Sequence, residues 1–304
     1  MQIIIFSYNR AMQLSALIHS FLKWWEGDDY SIDVIYNTSS NEYERGYELL
    51  QDSLSSNMNI RFSKEKKVSI THWSIGELTS VYNIKLLYLC PFLRRKKTNF
   101  RDILLRILKS SKYKSTMFLT DDSVFIRPIN FDKNIENWIC ERSLQRQFSF
   151  RHGVELMPHG GDIAKIEIGY QWTFTQYEKS NHWGYNFSLD AHVYSTQTMY
   201  QFLCGVTFSN PNTLESSGIL HSSKKNVFWE GQCGNNVAIL SFPINIVQRT
   251  FDNKALNADV KTLNDYFLKG FQLRYTWEEI KDFQQYPDTI EVFKDGVSVN
   301  LLIR

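Results

Sequence analysis

The sequence predicts an α/β fold in which a mostly parallel central sheet is flanked by helices. Three observations support this prediction. Through about residue 125, short apolar runs rich in β-branched residues alternate with segments whose apolar residues recur at helical spacing. Polar residues follow each apolar run, as at the ends of buried strands. The chain of 304 residues is also 43% hydrophobic and 22% charged, which is typical of a globular protein.

The individual elements follow from these patterns. In the first half we expect strands at 2–6, 33–36, 60–62 and 116–119, and helices at 14–21, 43–54, 80–89 and 99–109. In the second half we expect strands at 147–151, 170–174, 187–194 and 238–248, and helices at 198–204 and 262–272. The strand–helix alternation of 1–130 predicts a ligand-binding half, and 131–304 is expected to form a mixed second half, continuous with the first as one domain.

Composition and charge exclude several classes of protein. The formal net charge is only +2, so no overall field favours binding to nucleic acid. Four cysteines lie far apart without a CxxC pair, which excludes a disulfide framework and suits a reducing compartment. The first residues have neither the basic region nor the long apolar region of a signal peptide, and no apolar run is long enough to span a membrane. We therefore expect a cytoplasmic protein.

Polar residues at three strand ends predict a common site. Ser7–Arg10 follow the first predicted strand, Asn37–Ser40 the second, and Asp121–Ser123 the strand at 116–119. Because the carboxyl ends of parallel strands share one edge of a sheet, we expect these residues to converge in one crevice.

The adjacent carboxylates Asp121 and Asp122 are the strongest chemical signal in the chain. Hard divalent cations prefer oxygen ligands, and Mg²⁺ is commonly held by one or two carboxylates together with substrate phosphates. Two carboxylates embedded in apolar sequence repel each other unless a cation is near. We therefore predict a Mg²⁺ or Mn²⁺ site at Asp121, Asp122 and Ser123. The alternative is a solvated turn, because Asp-Asp-Ser is common in turns.

With these residues in place, the chain resembles the nucleotide-sugar-dependent glycosyltransferases of the GT-A fold, in particular bacterial family 2-like members. Three segments carry the resemblance: the first strand leading into SYNR, the polar NTSS after the second strand, and FLTDDSVF at the position of the family's acidic metal motif. Ser123 departs from the family pattern of Asp-x-Asp. The resemblance implies a GT-A-like, Rossmann-like fold with an acceptor-binding C-terminal half.

The resemblance also implies roles for the residues that match the family pattern. It places Ser7, Asn9 and Arg10 against the nucleoside, Asn37 and Thr38 against the base, Arg101 near the base or phosphates, Asp121 on the ribose and metal, and Asp122 on the metal. The implied donor is a nucleoside-diphosphate sugar, with UDP as the expected nucleotide. A solvated surface position is the alternative for Arg10 and for Arg101.

An acceptor hydroxyl needs a general base if it is to attack the sugar. Glu215 lies in the polar segment NPNTLE, where the family places its base, and Asp190 lies in an aromatic neighbourhood. Glu215 also fits the start of a helix, and Asp190 the end of a strand, so both interpretations stay open for each residue.

Residues 94–114 carry nine basic side chains and one acidic side chain, Asp102. A solvated helix face explains this charge. Peripheral contact with an anionic membrane, where a lipid-linked glycan acceptor would lie, explains it equally well. No nucleic-acid-binding motif accompanies the charge.

The sequence thus predicts a glycosyltransferase, of the hexosyl or N-acetylhexosaminyl class, that acts on a glycan hydroxyl in the synthesis of surface polysaccharide or glycoconjugates. One alternative is a glycan-binding protein on a degenerate transferase scaffold. The other is a nucleotidyltransferase, which is disfavoured because SYNRAMQ contains no glycine for a phosphate-binding loop.

Overall fold

A computed structural model describes residues 1–68, 98–158, 163–178, 181–245, 258–283, 285 and 287–300. Within these residues the helices are α1 (Ala11–Trp24), α2 (Asn41–Ser53), α3 (Phe100–Ser110), α4 (Lys133–Glu141), α5 (Thr196–Cys204), α6 (Pro211–Lys225) and α7 (Val260–Leu268). The helix predicted at 80–89 lies outside the described residues.

The strands are β1 (Gln2–Tyr8), β2 (Trp25–Glu26), β3 (Ser31–Asn37), β4 (Ile60–Lys64), β5 (Ser115–Thr120), β6 (Ser123–Phe125), β7 (Ile129–Asn130), β8 (Arg146–Ser149), β9 (Ala164–Ile166), β10 (Gly169–Thr173), β11 (His192–Ser195), β12 (Glu230–Cys233), β13 (Ile239–Ser241), β14 (Gln272–Thr276), β15 (Thr289–Lys294) and β16 (Val297–Asn300). The four strands predicted in the first half are confirmed as β1, β3, β4 and β5.

A nine-stranded sheet organises the molecule, in the order β4-β3-β1-β5-β11-β8-β12-β10-β9. The first four strands of this order are parallel neighbours, as the strand–helix alternation predicts. From β11 onward the sheet is mixed, because β11 runs antiparallel to both β5 and β8. Strands from both sides of residue 130 thus pair within one mixed α/β sheet.

Strand β1 shows why the sheet needs helices on both faces. Ile3 and Ile5 pack into one apolar cluster with α1 and α2, whereas Ile4 and Phe6 pack into another with α3 and α5. Alternate residues of a strand point to opposite faces, so a run of apolar residues requires cover on each side. None of the helices in the described residues is long and apolar enough to cross a membrane.

Two predicted strands are longer than the observed ones. The strand expected at 187–194 is wrong over its first part, because only His192–Ser195 are extended within the sheet. Ala191 has a φ of 59°, which breaks the strand and turns the preceding residues out of the sheet. The strand expected at 238–248 is confirmed only as β13, and its last three residues lie outside the described residues.

The C-terminal part of the chain also differs from the prediction. The helix expected at 262–272 ends at Leu268, and β14 begins at Gln272 after the turn at Gly270, whose φ is 86°. The sequence indicates helix α6 only through the alternative interpretation of Glu215 as the start of a helix, although the start is encoded locally. The Asn210 side chain accepts from the backbone N–H of Thr213, and Pro211 occupies the first turn.

Candidate active site

The carboxyl ends of β1, β3 and β5 meet at one edge of the sheet. Tyr8 pairs in register with Asn37, and Phe6 with Thr120, so the polar residues after each strand lie side by side. The predicted convergence of the three polar segments in one crevice is therefore confirmed.

Asp121 is the buried anchor of this crevice, with 4% of its surface exposed. Its Oδ2 accepts hydrogen bonds from the Ser7 hydroxyl at 2.8 Å and from the Tyr8 backbone N–H at 3.1 Å. Its Oδ1 accepts from the Arg10 guanidinium at 2.9 Å. Burial raises the pKa of Asp121 despite the opposing charge of Arg10. Both carboxylate oxygens are thus taken by donors of the protein.

Arg10 is the cation between the two carboxylates. Its Nη1 also lies 3.2 Å from Asp122 Oδ2, while its Nε donates to Asn245 Oδ1 at 2.8 Å and its Nη2 to the Asn245 carbonyl. Burial lowers the pKa of Arg10, but Asp121 and Asp122 outweigh burial and the net shift is upward. Arg10 directly precedes α1, so the start of this helix fixes the guanidinium at the strand ends.

Asp122 and Ser123 have different surroundings. Asp122 Oδ1 accepts from Thr120 at 2.6 Å and from Ser241 at 3.4 Å, and 14% of its side chain is exposed. Ser123 is fully buried, and its hydroxyl donates to Asp190 Oδ1 at 3.1 Å. Asp122 therefore remains accessible from the crevice, whereas Ser123 connects the acidic turn to Asp190.

Asp190 is held by a second buried guanidinium. Arg151 forms an ion pair with Asp190 Oδ2 and donates from Nη2 to the Phe283 carbonyl at 2.9 Å. The pKa of Asp190 is raised, first by burial and also by repulsion from Asp122, whereas Arg151 opposes the shift. The turn ended by Ala191 places this carboxylate beside the acidic turn.

Glu215 lies in the first turns of α6 and faces the same crevice. Its Oε1 accepts from the Leu189 backbone N–H at 3.2 Å, and its carboxyl group also hydrogen-bonds with Tyr185. Burial raises the pKa of Glu215 to about 7, and repulsion from Asp190 adds to the shift. A carboxyl group with this pKa exchanges a proton readily near neutral pH.

The charges of the crevice are unbalanced. In the part of the chain that the structure describes, Asp121, Asp122, Asp190 and Glu215 face two guanidinium groups, and electrostatic repulsion extends from each carboxylate to the next. Within the described ranges, no three His, Cys, Asp or Glu side chains are grouped as a preformed metal site. A divalent cation held by Asp122 and by the phosphates of a ligand fits this donor set and its excess negative charge. The Mg²⁺ or Mn²⁺ predicted at Asp121, Asp122 and Ser123 thus stays a prediction, and Asp122 is the most exposed of these three residues.

Asn9 connects the first two strand ends. Its side-chain oxygen accepts from the Ser39 backbone N–H and its Nδ2 donates to Ser39 Oγ, both at 2.8 Å. Beside it, Asn37 Nδ2 donates to Glu65 at 3.4 Å, and Thr38 donates to Glu44 at 2.7 Å. The predicted residues Asn9, Asn37 and Thr38 therefore lie at the crevice edge, and the Asn9 side chain itself fixes the edge.

Arg101 does not join this group. Its guanidinium donates to the carbonyl oxygens of Leu203, Cys204 and Val206 and lies 5.6 Å from the centre of the Phe208 ring. A cation at the carboxyl end of α5 satisfies carbonyls that the helix leaves unpaired. The structure thus shows the Arg101 guanidinium at the end of α5, and its expected contact with the base or the phosphates stays a prediction.

The sequence prediction missed several residues that complete the crevice. Arg151 lies just after β8, and β8 runs in the same direction as β5 because both are antiparallel to β11, so the strand-end argument also applies to it. Asn245 holds Arg10, and Tyr275 of β14 lies near enough for Asp122 to raise its pKa, after the larger effect of burial. No local pattern marks Asn245 or Tyr275, because their place depends on distant packing.

Comparisons with known proteins give a limited similarity. No protein-family profile matches this chain, and no curated protein sequence matches it. Among solved structures, it is similar at 12% identity to S. aureus TarS 1-349, with a TM-score of 0.43 over 79% of this chain and 59% of that chain. The same fragment in complex with UDP gives a TM-score of 0.42, with 78% and 59% covered at 12% identity.

A further TarS structure gives a TM-score of 0.45 at 12% identity, with 79% of this chain and 36% of that chain covered. The chain thus matches less than two thirds of the length of each of these TarS chains.

Proposed function

We propose that this protein is a glycosyltransferase with a GT-A-like fold, which transfers a sugar from a nucleoside-diphosphate donor to a hydroxyl of a glycan. The observation that carries the proposal is the group of four neighbouring carboxyl groups beside the carboxyl end of β5. Asp121 and Asp122 follow β5 and pair with Arg10, Asp190 lies in the turn before β11, and Glu215 lies on α6. This edge of an α/β sheet is where ligands bind. The expected donor is a UDP-linked hexose or N-acetylhexosamine.

The donor half of the crevice suits a diphosphate. Ser7, Asn9, Asn37 and Thr38 surround the expected position of the nucleoside, and Asp121 holds Arg10 in place. Asp122 would hold Mg²⁺ or Mn²⁺, which supplies positive charge against the diphosphate when it is bound. Arg10 adds a fixed positive charge that needs no reorganisation during the reaction.

Glu215 is the residue that we propose as general base. Asp190 is buried and paired with the Arg151 guanidinium, whereas Glu215 combines a pKa of about 7 with a partly exposed position. In the proposed step, Glu215 takes the proton of the acceptor hydroxyl while the oxygen of this hydroxyl forms a bond to the anomeric carbon of the sugar. The bond from this carbon to the diphosphate breaks, and the diphosphate leaves with the electron pair. Asp190 is a positioning residue in this scheme.

The proposal is tested by incubating the protein with individual UDP-sugars, with and without glycan acceptors, and measuring UDP release. We expect release with one donor class in the wild type and none with Glu215→Gln. Tight glycan binding without release from any nucleotide sugar would instead identify a non-catalytic glycan-binding protein and overturn the proposal.

A further inference from the structure

A second cavity lies at the opposite edge of the central sheet from the crevice. It has a volume of about 570 Å³ and is lined by residues that begin β1 and β3, by β4 and by the carboxyl end of α3. Gln2 and Ser31 stand at its base, and the other ends of their strands reach the crevice. A seven-residue strand spans roughly 20 Å, so the two sites are separate. The volume is in the usual range for small-ligand sites.

Among the described residues that line this cavity, the one acidic residue is already neutralised. Asp33 is buried, and its carboxylate accepts from Gln2 at 2.9 Å and from Arg61 at 3.0 and 2.7 Å. Arg61 also donates to the Ser31 hydroxyl at 2.7 Å. This network gives the cavity a rigid polar floor without free negative charge.

Two further cations line the wall formed by α3 and the residues after it. Arg106 and Lys112 are exposed, and Lys112 lies 3.8 Å from the exposed Asp29, a distance at which solvent screens most of the attraction. The carboxyl end of α3 carries only about half a negative charge, which two full positive charges exceed. The net charge of the lining is thus positive.

Hydroxyl and amide groups supply the rest of the polar lining. Tyr30, Ser63, Ser110, Ser111 and Tyr113 contribute hydroxyls, and Asn59 contributes an amide. Guanidinium, ammonium and hydroxyl donors around a space of this size suit a phosphate group carried on a small hydroxylated body.

We propose that this cavity is a second binding site, for a phosphate monoester, with Arg106 and Lys112 as its cationic ligands. The proposal does not depend on the glycosyltransferase activity. The proposal assigns two basic side chains of the segment 94–114, Arg106 and Lys112, to a defined binding site. The phosphate belongs either to a soluble polyol phosphate or to the headgroup of a lipid, and the chemistry of recognition is the same.

The test uses the full chain and two probes, glycerol 3-phosphate in calorimetry and vesicles of phosphatidylcholine with phosphatidic acid in flotation. The variants are Arg106→Ala and Lys112→Ala. Lys109→Ala is the matched control, because Lys109 is exposed on the same helix outside the cavity lining. We expect binding of at least one probe, weakened tenfold or more by each cavity variant and unchanged by the control.

The two probes distinguish the sources of the phosphate. Binding of glycerol 3-phosphate identifies a soluble ligand, and cavity-dependent binding to vesicles alone identifies a lipid headgroup. Equal weakening by all three variants would show a diffuse basic surface, and no binding of either probe would show an unused cavity. Either result overturns the proposal.

Discussion

At the scale of single residues, Arg10 is the side chain on which the crevice depends most. It is 7% exposed and contacts Asp121, Asp122 and Asn245. Removing one partner of a buried ion pair leaves an uncompensated charge, whereas removing both partners costs far less. The stability of this part of the crevice therefore depends on the balance of charges more than on any one bond.

We predict that Arg10→Met lowers the free energy of unfolding by about 3–5 kcal/mol, measured by urea denaturation. The double variant Arg10→Met/Asp121→Asn should recover part of this loss, because it removes the unpaired carboxylate. Arg45→Met, at an exposed position of α2, is the control and should change stability by less than about 0.5 kcal/mol. If Arg10→Met is as stable as the wild type, the buried contacts assigned to Arg10 are wrong.

A second prediction at this scale concerns Glu215. Because its pKa is raised to about 7, the carboxyl group is protonated below that pH and cannot accept a proton. The kcat/KM for transfer should therefore rise as the pH increases through about 7, and Glu215→Gln should lose about 100- to 10,000-fold in kcat. Nucleotide binding should be unchanged in this variant. If Glu215→Gln keeps the kcat of the wild type, another residue is the general base.

The strand-end argument predicted from sequence most of the polar residues that meet at the ends of β1, β3 and β5. Ser7, Arg10, Asp121 and Asp122 lie together because parallel strands deliver their carboxyl ends to one edge, and local patterns reveal those strands. The role expected for Arg101 came from the family resemblance instead, and the structure shows its guanidinium on the carbonyl groups that end α5. Local sequence does not encode such contacts.

At the scale of elements, α6 positions the proposed base. Gly218 lies one turn after Glu215, and a Cβ atom at this position would lie 2.3 Å from the Phe187 ring. The absence of a side chain thus allows α6 to approach the turn that holds Leu189 and Asp190. The distance between helix and turn sets the hydrogen bond from Leu189 to Glu215.

We predict that Gly218→Ala destabilises the protein by about 1–3 kcal/mol, because the added methyl group overpacks a filled site. It should also lower kcat, since α6 must move away from Leu189. Leu220→Ala on the exposed face of the same helix is the control and should affect neither quantity appreciably. Thermal unfolding and UDP release measure the two effects, and unchanged values for Gly218→Ala would show that the close packing is absent.

Residues 187–194 show why a strand predicted from local sequence can be wrong. Alternating apolar residues there are typical of a strand, but Ala191 adopts a positive φ and Asp190 turns toward Ser123. The contacts of Asp190 with the buried side chains of Ser123 and Arg151 override the local pattern. Helix α6 is the opposite case, because Asn210 and Pro211 are a local start signal that its weak amphipathicity obscured.

At the scale of the whole molecule, buried histidines lie where the two parts of the sheet join. His192 lies on β11, and its Nδ1 is hydrogen-bonded to Gln147 Oε1 at 2.7 Å. The centre of its ring lies 5.4 Å from the centre of the His152 ring. The pKa of His192 is lowered to about 3, first by burial and then by the positive charge of Arg151. The folded protein therefore holds this imidazole neutral.

This shift predicts a loss of stability in acid. Below pH 6.5 the unfolded chain binds a proton at His192 and the folded chain does not, so the free energy of unfolding falls as the pH decreases toward about 3. The contribution of one such group is at most about 1.4 kcal/mol per pH unit. His192→Gln should flatten the decrease between pH 6 and pH 4, whereas His19→Gln, at an exposed position of α1, should not. Identical pH profiles for the wild type and His192→Gln would contradict a buried neutral imidazole.

The central claim is that the crevice binds a nucleoside diphosphate, and calorimetric titration of UDP tests it most directly. The titration is made with Mn²⁺ and with EDTA, on the wild type and on Asp122→Ala. We predict that UDP binds, that Mn²⁺ strengthens binding, and that Asp122→Ala removes the strengthening. Absence of binding for UDP and for the other nucleoside diphosphates, with the protein folded, would contradict the account.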